Sequence, residues 1–291
     1  MSTFLQKTFL FFLPILTLIV VVEFFAGKEQ NLYQRKKQVL NSQSFSKNVL
    51  GSSHAFYGIR TDGEDSYNFG WSSQTLDEGA FLISKFSETN EKTFFLTISP
   101  FTFRSTNHNR IESHRNVLFN RTFDASMVRK LEDLSFISTF GGHAAIRMAR
   151  NGVNQIGPSN CNPVTGFGRR SGVSSKPMNK SAQEAAERHT KKSIDNRLPA
   201  VLENIAKKNI KLYLITTPFH ESYHERVMND NVWIFTKQFC SQLAHSNPNV
   251  HYLDYSDFPL PDSCFWDADH LNELGASLFT DELFRHVSNL Q

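Results

Sequence analysis

An α/β fold built on a parallel sheet is what this 291-residue sequence predicts, and three observations carry it. Short apolar runs of strand length alternate with longer runs of helical period. Pro, Gly, Asn and Ser punctuate the joins between them. Polar residues able to do chemistry fall directly after strands, where open parallel sheets place their ligand-binding loops. The chain is 40% hydrophobic and 20% charged, enough for one sizeable domain or one domain carrying an insertion. Its formal charge is only +3 and its basic residues are scattered, which leaves no footprint for nucleic acid.

Taken in order, the first element is apolar. From Thr8 to Gly27 the chain reads TFLFFLPILTLIVVVEFFAG, the roughly 20 residues needed to cross a bilayer core. This predicts an uncleaved signal anchor over residues 1–27. A cleaved signal peptide and a buried helix are the alternatives, and no small-x-small cleavage site follows the span. Residues 28–46 read as a polar linker.

The α/β domain is expected over 47–291. KNVLG (47–51) and SYNFG (66–70) read as two short strands. SQTLDEGAFLISKFSE (73–88) sets Leu76, Ala80, Leu82, Ile83 and Phe86 at helical spacing. KTFFLTISP (92–100) is a strongly apolar third strand, ended by Pro100. The stretch from 101 to about 182 breaks the rhythm with helical pieces, DASMVRKLEDLSFIS and HAAIRMAR, and a Gly/Ser/Asn/Pro-rich loop. It reads as an insertion over one end of the sheet. Alternation then resumes: one long helix over 182–209, strand IKLYLITTP (210–218), helix NVWIFTKQFCSQLAHS (231–246), strand VHYLDYS (250–256) and a last helix from Glu273. Five strands in this order suit a flavodoxin-like three-layer sandwich with strand order 2-1-3-4-5. In an oxidising compartment Cys161 and Cys264, both in loops, would be the natural pair, with Cys240 buried in a helix; three free thiols is the other reading.

Two loops stand out because they open at the same edge of such a sheet. Ser52 and Ser53 follow the first strand, and Asp267 and His270 follow the fifth. A serine becomes a useful nucleophile when an imidazole takes its proton and a carboxylate holds that imidazole in the right tautomer. Each motif alone is weak; their joint placement is more specific. Asp267, Asp269 and His270 also suggest a metal site, but no second group at ligand spacing accompanies them, so no metal or cofactor is expected.

The segments VLGSSHAFYGI and DADHLNELGA resemble the first and last blocks of the SGNH/GDSL hydrolase superfamily, especially its membrane-anchored members associated with cell-surface polysaccharides. The resemblance implies Ser53, not Ser52, as nucleophile, with His270 as base and Asp267 behind it. YNFGWSSQTL resembles the second block, with Ser73 where glycine is usual, so the backbone N–H groups of Ser53 and Ser73 are the implied oxyanion donors. The third block should add an asparagine, yet TISPFTF has none. Asn68, Ser72 and Gln74 are the substitutes at hand, and one such donor is worth about 2.7–4 kcal/mol. His54, His220, Arg169 and Arg170 are candidate substrate contacts.

The implied activity is removal or transfer of O-acyl groups, O-acetyl foremost, on a glycan, with a membrane acyltransferase as a possible partner. The alternatives are a non-catalytic member of the fold that binds glycan or such a partner, and a metal-dependent hydrolase. A glycan substrate implies a domain outside the cytoplasmic membrane. Charge counting points the other way, since Lys7 precedes the apolar span while Lys28, Arg35, Lys36 and Lys37 follow it.

Overall fold

The computed structural model describes residues 4, 6–14, 17, 32–86, 92–104, 161–191 and 193–290. They fall in two compact units, the described residues up to 43 in the first and those from 44 onward in the second. In the first unit, residues 6–14 are helical and a helix α1 spans Leu32–Ser42. That helix corrects the expected linker: Leu, Gln, Arg and Lys are good helix formers, but α1 carries no strong apolar stripe to announce them. No described helix is long and apolar enough to cross a membrane. The span expected at 8–27 lies mostly outside the described residues.

The second unit holds a five-stranded sheet: β1 (Lys47–Leu50), β2 (Ser66–Asn68), β3 (Thr93–Thr97), β4 (Lys211–Thr216) and β5 (Val250–Asp254). Every pairing is parallel and the order is β2-β1-β3-β4-β5. TFFLT and KLYLIT are apolar on both faces because a parallel sheet is covered on both. On one face Val49, Phe95, Tyr213 and Ile215 join Ala55 of α2 (Ser53–Gly58), Ile59 just beyond its end, and Ala276, Phe279 and Leu283 of α8 (Glu273–Asn289) in one buried cluster. On the other face Phe94 lies beside Phe86 of α3 (Leu76–Phe86). The start of α3 is fixed by a reciprocal cap: Thr75 Oγ1 accepts the Glu78 N–H, and Glu78 Oε2 accepts the Thr75 N–H.

The single long helix expected over 182–209 is two helices, α4 (Met178–Thr190) and α5 (Leu198–Ala206). Turn chemistry divides them. Asp195 accepts the Arg197 N–H on its side chain and donates its own N–H to Phe103, and Pro199 sits at the start of α5, where its missing N–H costs nothing. Two more helices follow β4: α6 (Glu221–Val227) and α7 (Asn231–Ser246), the latter capped by Asp230 through the Trp233 N–H. Asp230 also receives the buried guanidinium of Arg104.

Of the expected insertion at 101–182, residues 105–160 lie outside the described residues, including both helical stretches read there. Residues 161–177 run as a loop tied to the sheet and to α2, the Asn68 N–H reaching the Thr165 carbonyl and the Gly168 N–H that of Phe56. Cys161, Cys240 and Cys264 are all free thiols. The Cys161–Cys264 pairing is therefore absent here; Cys161 Sγ instead faces the carbonyls of Asn162 and Gly166.

Candidate active site

The carboxyl ends of β1 and β5 lie at one edge of the sheet, and each leads into a loop of unusual build. After β1 the chain turns straight into α2 through Gly51, at φ 126°. A Cβ there would lie 2.1 Å from Thr97 Oγ1 on the neighbouring strand, so the approach is possible only without a side chain. The Gly51 N–H donates to Gln74 Oε1, its carbonyl accepts from Trp71, and Gln74 Nε2 donates to the Phe69 carbonyl. Ser52 and Ser53 then part company. Ser52 Oγ lies 3.2 Å from His54 Nδ1, whereas Ser53, first residue of α2, points its Oγ at His270.

After β5 a short turn at Asp262–Cys264 leads into an antiparallel hairpin, β6 (Phe265–Asp267) and β7 (His270–Leu271). Asp267 pairs directly with His270 across it, so the three-residue spacing is that of two positions facing each other over a two-residue turn. Neighbours hold that turn: Ala268 donates to Ser181 Oγ, and its carbonyl accepts the His220 N–H. Asn272, next along, caps α8 by accepting the N–H groups of Leu274 and Gly275.

These two loops bring together Ser53, His270 and Asp267. His270 Nε2 is 2.7 Å from Ser53 Oγ, and its Nδ1 is 2.8 Å from Asp267 Oδ1. A second carboxylate, that of Asp269, also reaches Nδ1, at 3.2 Å. Burial by itself lowers the His270 pKa; the Asp269 charge and the hydrogen bonds to Asp267 and Asp269 outweigh it and raise the pKa to about 9. Burial likewise opposes ionisation of Asp269, yet the adjacent His270 holds its carboxyl well below the usual range. The His54 ring stacks on His270 with centroids 5.0 Å apart and planes within 13°. Burial, then the nearby His270 charge, depress its pKa to about 3, so it is neutral.

Arg170 forms the outer wall. Its guanidinium lies 3.4 Å from Asp267 Oδ2, over the Tyr57 ring at 4.0 Å and beside Trp266 at 5.9 Å. Tyr57 in turn accepts a hydrogen bond from Ser72 Oγ at 3.3 Å. For the oxyanion, the Ser53 N–H has no acceptor within its helix because it sits at the first position. The Ser73 N–H donates to no group among the described residues. Ser73 has φ 62°, the sole positive φ among the described non-glycine residues, inside the turn closed by Gln74 N–H to the Trp71 carbonyl. That is a conformation glycine holds without strain.

Four expectations need correction. Asn68 cannot serve as an oxyanion donor, because both protons of its amide go to the Ala55 and Ile59 carbonyls and its oxygen accepts the Gly70 N–H. His220 caps α6, Nδ1 accepting the Ser222 N–H and Nε2 facing Asp262. Arg169, half exposed, pairs with Glu273 at 3.7 Å. His54 is 2% exposed and packs behind His270 rather than lining a cleft.

Sequence reasoning grouped Asp269 with His270 only as a metal ligand and did not see it as a partner of the imidazole; nothing in the sequence marked Tyr57. The ligand-type atoms of His54, Asp269 and His270 lie within 4.8 Å of one another. Both His270 nitrogens are already hydrogen-bonded, so the cluster offers a metal no open imidazole from that residue. No protein-family model matches this chain, and no curated protein matches it.

Proposed function

We propose that the chain is a serine esterase or acyl transferase of the SGNH/GDSL type, acting on O-acyl groups of a glycan. The observation that supports this most is the hydrogen-bonded row Ser53–His270–Asp267, with both outer bonds under 3 Å. In the first half-reaction Ser53 Oγ attacks the ester carbonyl while its proton passes to His270 Nε2. The tetrahedral oxyanion is held by the N–H groups of Ser53 and Ser73, and it collapses as the imidazolium returns the proton to the departing sugar hydroxyl. In the second, water or another hydroxyl takes the acyl group from Ser53 by the same steps in reverse. Hydrolysis and transfer share this acyl-enzyme, and the acceptor decides between them.

Residues 8–27 act in this reading as a membrane anchor, with the domain outside the cytoplasm near its glycan and, for a transferase, near a membrane acyltransferase that supplies acyl groups. A C-terminal alkaline-phosphatase fusion is expected to be active; activity only of a cytoplasm-dependent fluorescent reporter would reverse the topology. The chemistry is tested by a fluorophosphonate probe followed by peptide mapping. Label is expected on Ser53, lost in Ser53→Ala and kept in Ser52→Ala. Label on another serine would reject the assignment. Absence of label on a folded chain would favour the second reading, a glycan- or partner-binding protein, which the lack of a free third oxyanion donor at Asn68 supports.

A further inference from the structure

We infer that Asp269 is a second positioning carboxylate for His270, so that the imidazole is held by two acidic side chains rather than one. The inference rests on the esterase reading for its purpose, but its evidence is geometric. The Nδ1–H donates to Asp267 at 2.8 Å, and the Asp269 carboxylate flanks the same nitrogen at ion-pair distance, 3.2 Å. Asp269 is 3% exposed, and His270 is its one ion-pair partner among the described residues.

The two carboxylates are not redundant. Asp267 is half of a pair with Arg170, so the positive charge of the guanidinium offsets its negative charge. Asp269 has no such partner. A carboxylate taken out of water needs a cation or it is expelled or protonated. Of its histidine neighbours, His270 does most to hold it ionised, ahead of His54 and His189, and His54 is itself neutral.

The groups that face His270 are therefore Asp267 and Asp269 at Nδ1, Ser53 at Nε2, the His54 ring on one face and the Tyr57 ring edge-on, with Arg170 behind Asp267. In that surround Asp269 favours the protonated imidazole, the form that appears as Ser53 attacks. It also retains the Nδ1–H tautomer if Asp267 is lost.

The test is the NMR titration of the His270 ring in the full chain, assigned by its loss in His270→Gln. The wild-type ring is expected to titrate above neutrality, and Asp269→Asn to lower its midpoint by about one unit or more. A midpoint unchanged in a folded Asp269→Asn variant overturns the inference. Should that variant not fold, Asp267→Asn decides, because Asp269 is intact in it. The fluorophosphonate labelling rate of Asp267→Asn is expected to fall about 10- to 100-fold, and a fall near the 10⁴-fold typical of a triad with one carboxylate would overturn the inference. Labelling of the wild type tests the esterase reading separately: if Ser53 never labels, that reading fails and the titration alone judges Asp269.

Discussion

The loop that carries Ser53 and the hairpin that carries His270 meet within 2.7 Å, yet they are held by different forces. The serine loop contains no charge that matters to its shape. It is set by sterics and amide hydrogen bonds: Gly51 against Thr97, and the Gly51 N–H on the Gln74 side chain. The hairpin is set by charge, with Asp267, Asp269 and Arg170 arranged around one imidazole. The difference teaches where each loop is vulnerable. Volume added to the first damages the fold, while charge removed from the second damages the chemistry and leaves the fold mostly standing.

The largest expected effect tests the hairpin. His270→Ala should lower turnover or probe labelling by roughly 10³-fold or more; because it also strips buried Asp269 of its imidazolium, the thermal midpoint should fall, by about 10 degrees, with the chain still folded. A collapse of the midpoint instead would show that the hairpin, too, is structural.

Next comes the serine loop. Gly51→Ala places a methyl group against Thr97 Oγ1 at a backbone angle that side chains rarely adopt, and should cost about 2–5 kcal/mol. Urea unfolding measures this; a loss below about 1 kcal/mol would mean that the loop yields easily.

The pH dependence joins the two regions. His270 must be neutral to accept the Ser53 proton, and its pKa is raised to about 9. Labelling should therefore climb by about 50-fold from pH 7 to 9, as the neutral fraction rises from about one in a hundred to one half. The stability contributed by the imidazolium runs the opposite way, because the folded pKa lies above the unfolded value. It is complete below about pH 6.5 and is lost as the pH rises through 9. A labelling rate flat over this interval would refute the charged resting state.

The smallest effect is a gain. Ser73→Gly removes the cost of a left-handed serine and should stabilise the fold by about 1 kcal/mol, with labelling retained if the backbone N–H is what matters there. Destabilisation in the same urea assay would show that the serine side chain has a bond of its own to lose.

Much of the sheet was legible because its strands are apolar on both faces, and the strand order followed from the alternation with helices. Helix α7 was legible to its ends, since Asp230 and Asn247 stand just outside an unbroken run. The break between α4 and α5 was not, because lysines, Ser193 and Ile194 continue a helical pattern until Asp195 captures a backbone N–H. At the site, spacing and position marked the Ser52–Ser53 pair with Asp267 and His270, and the family resemblance alone chose Ser53. The hairpin between the last two could not, as strands of three and two residues leave no periodic trace. His220 was misread because a histidine after a strand looks the same whether it faces a cleft or caps the next helix. Asp269 was named only as a metal ligand: both aspartates of DADH can reach an imidazole, and only the fold of the turn shows that both do.

The hairpin pairing also has a consequence for the order of events as the chain matures. His270 and Asp267 are three residues apart and find each other by local closure, whereas Ser53 and His270 are separated by 217 residues. Contacts of such separation close late, when most of the chain has already collapsed. On the esterase reading, the serine is thus made early and switched on last, so an incompletely synthesised or half-folded chain would carry a hydroxyl without a base, and reactivity at Ser53 would be a completion signal for the whole domain.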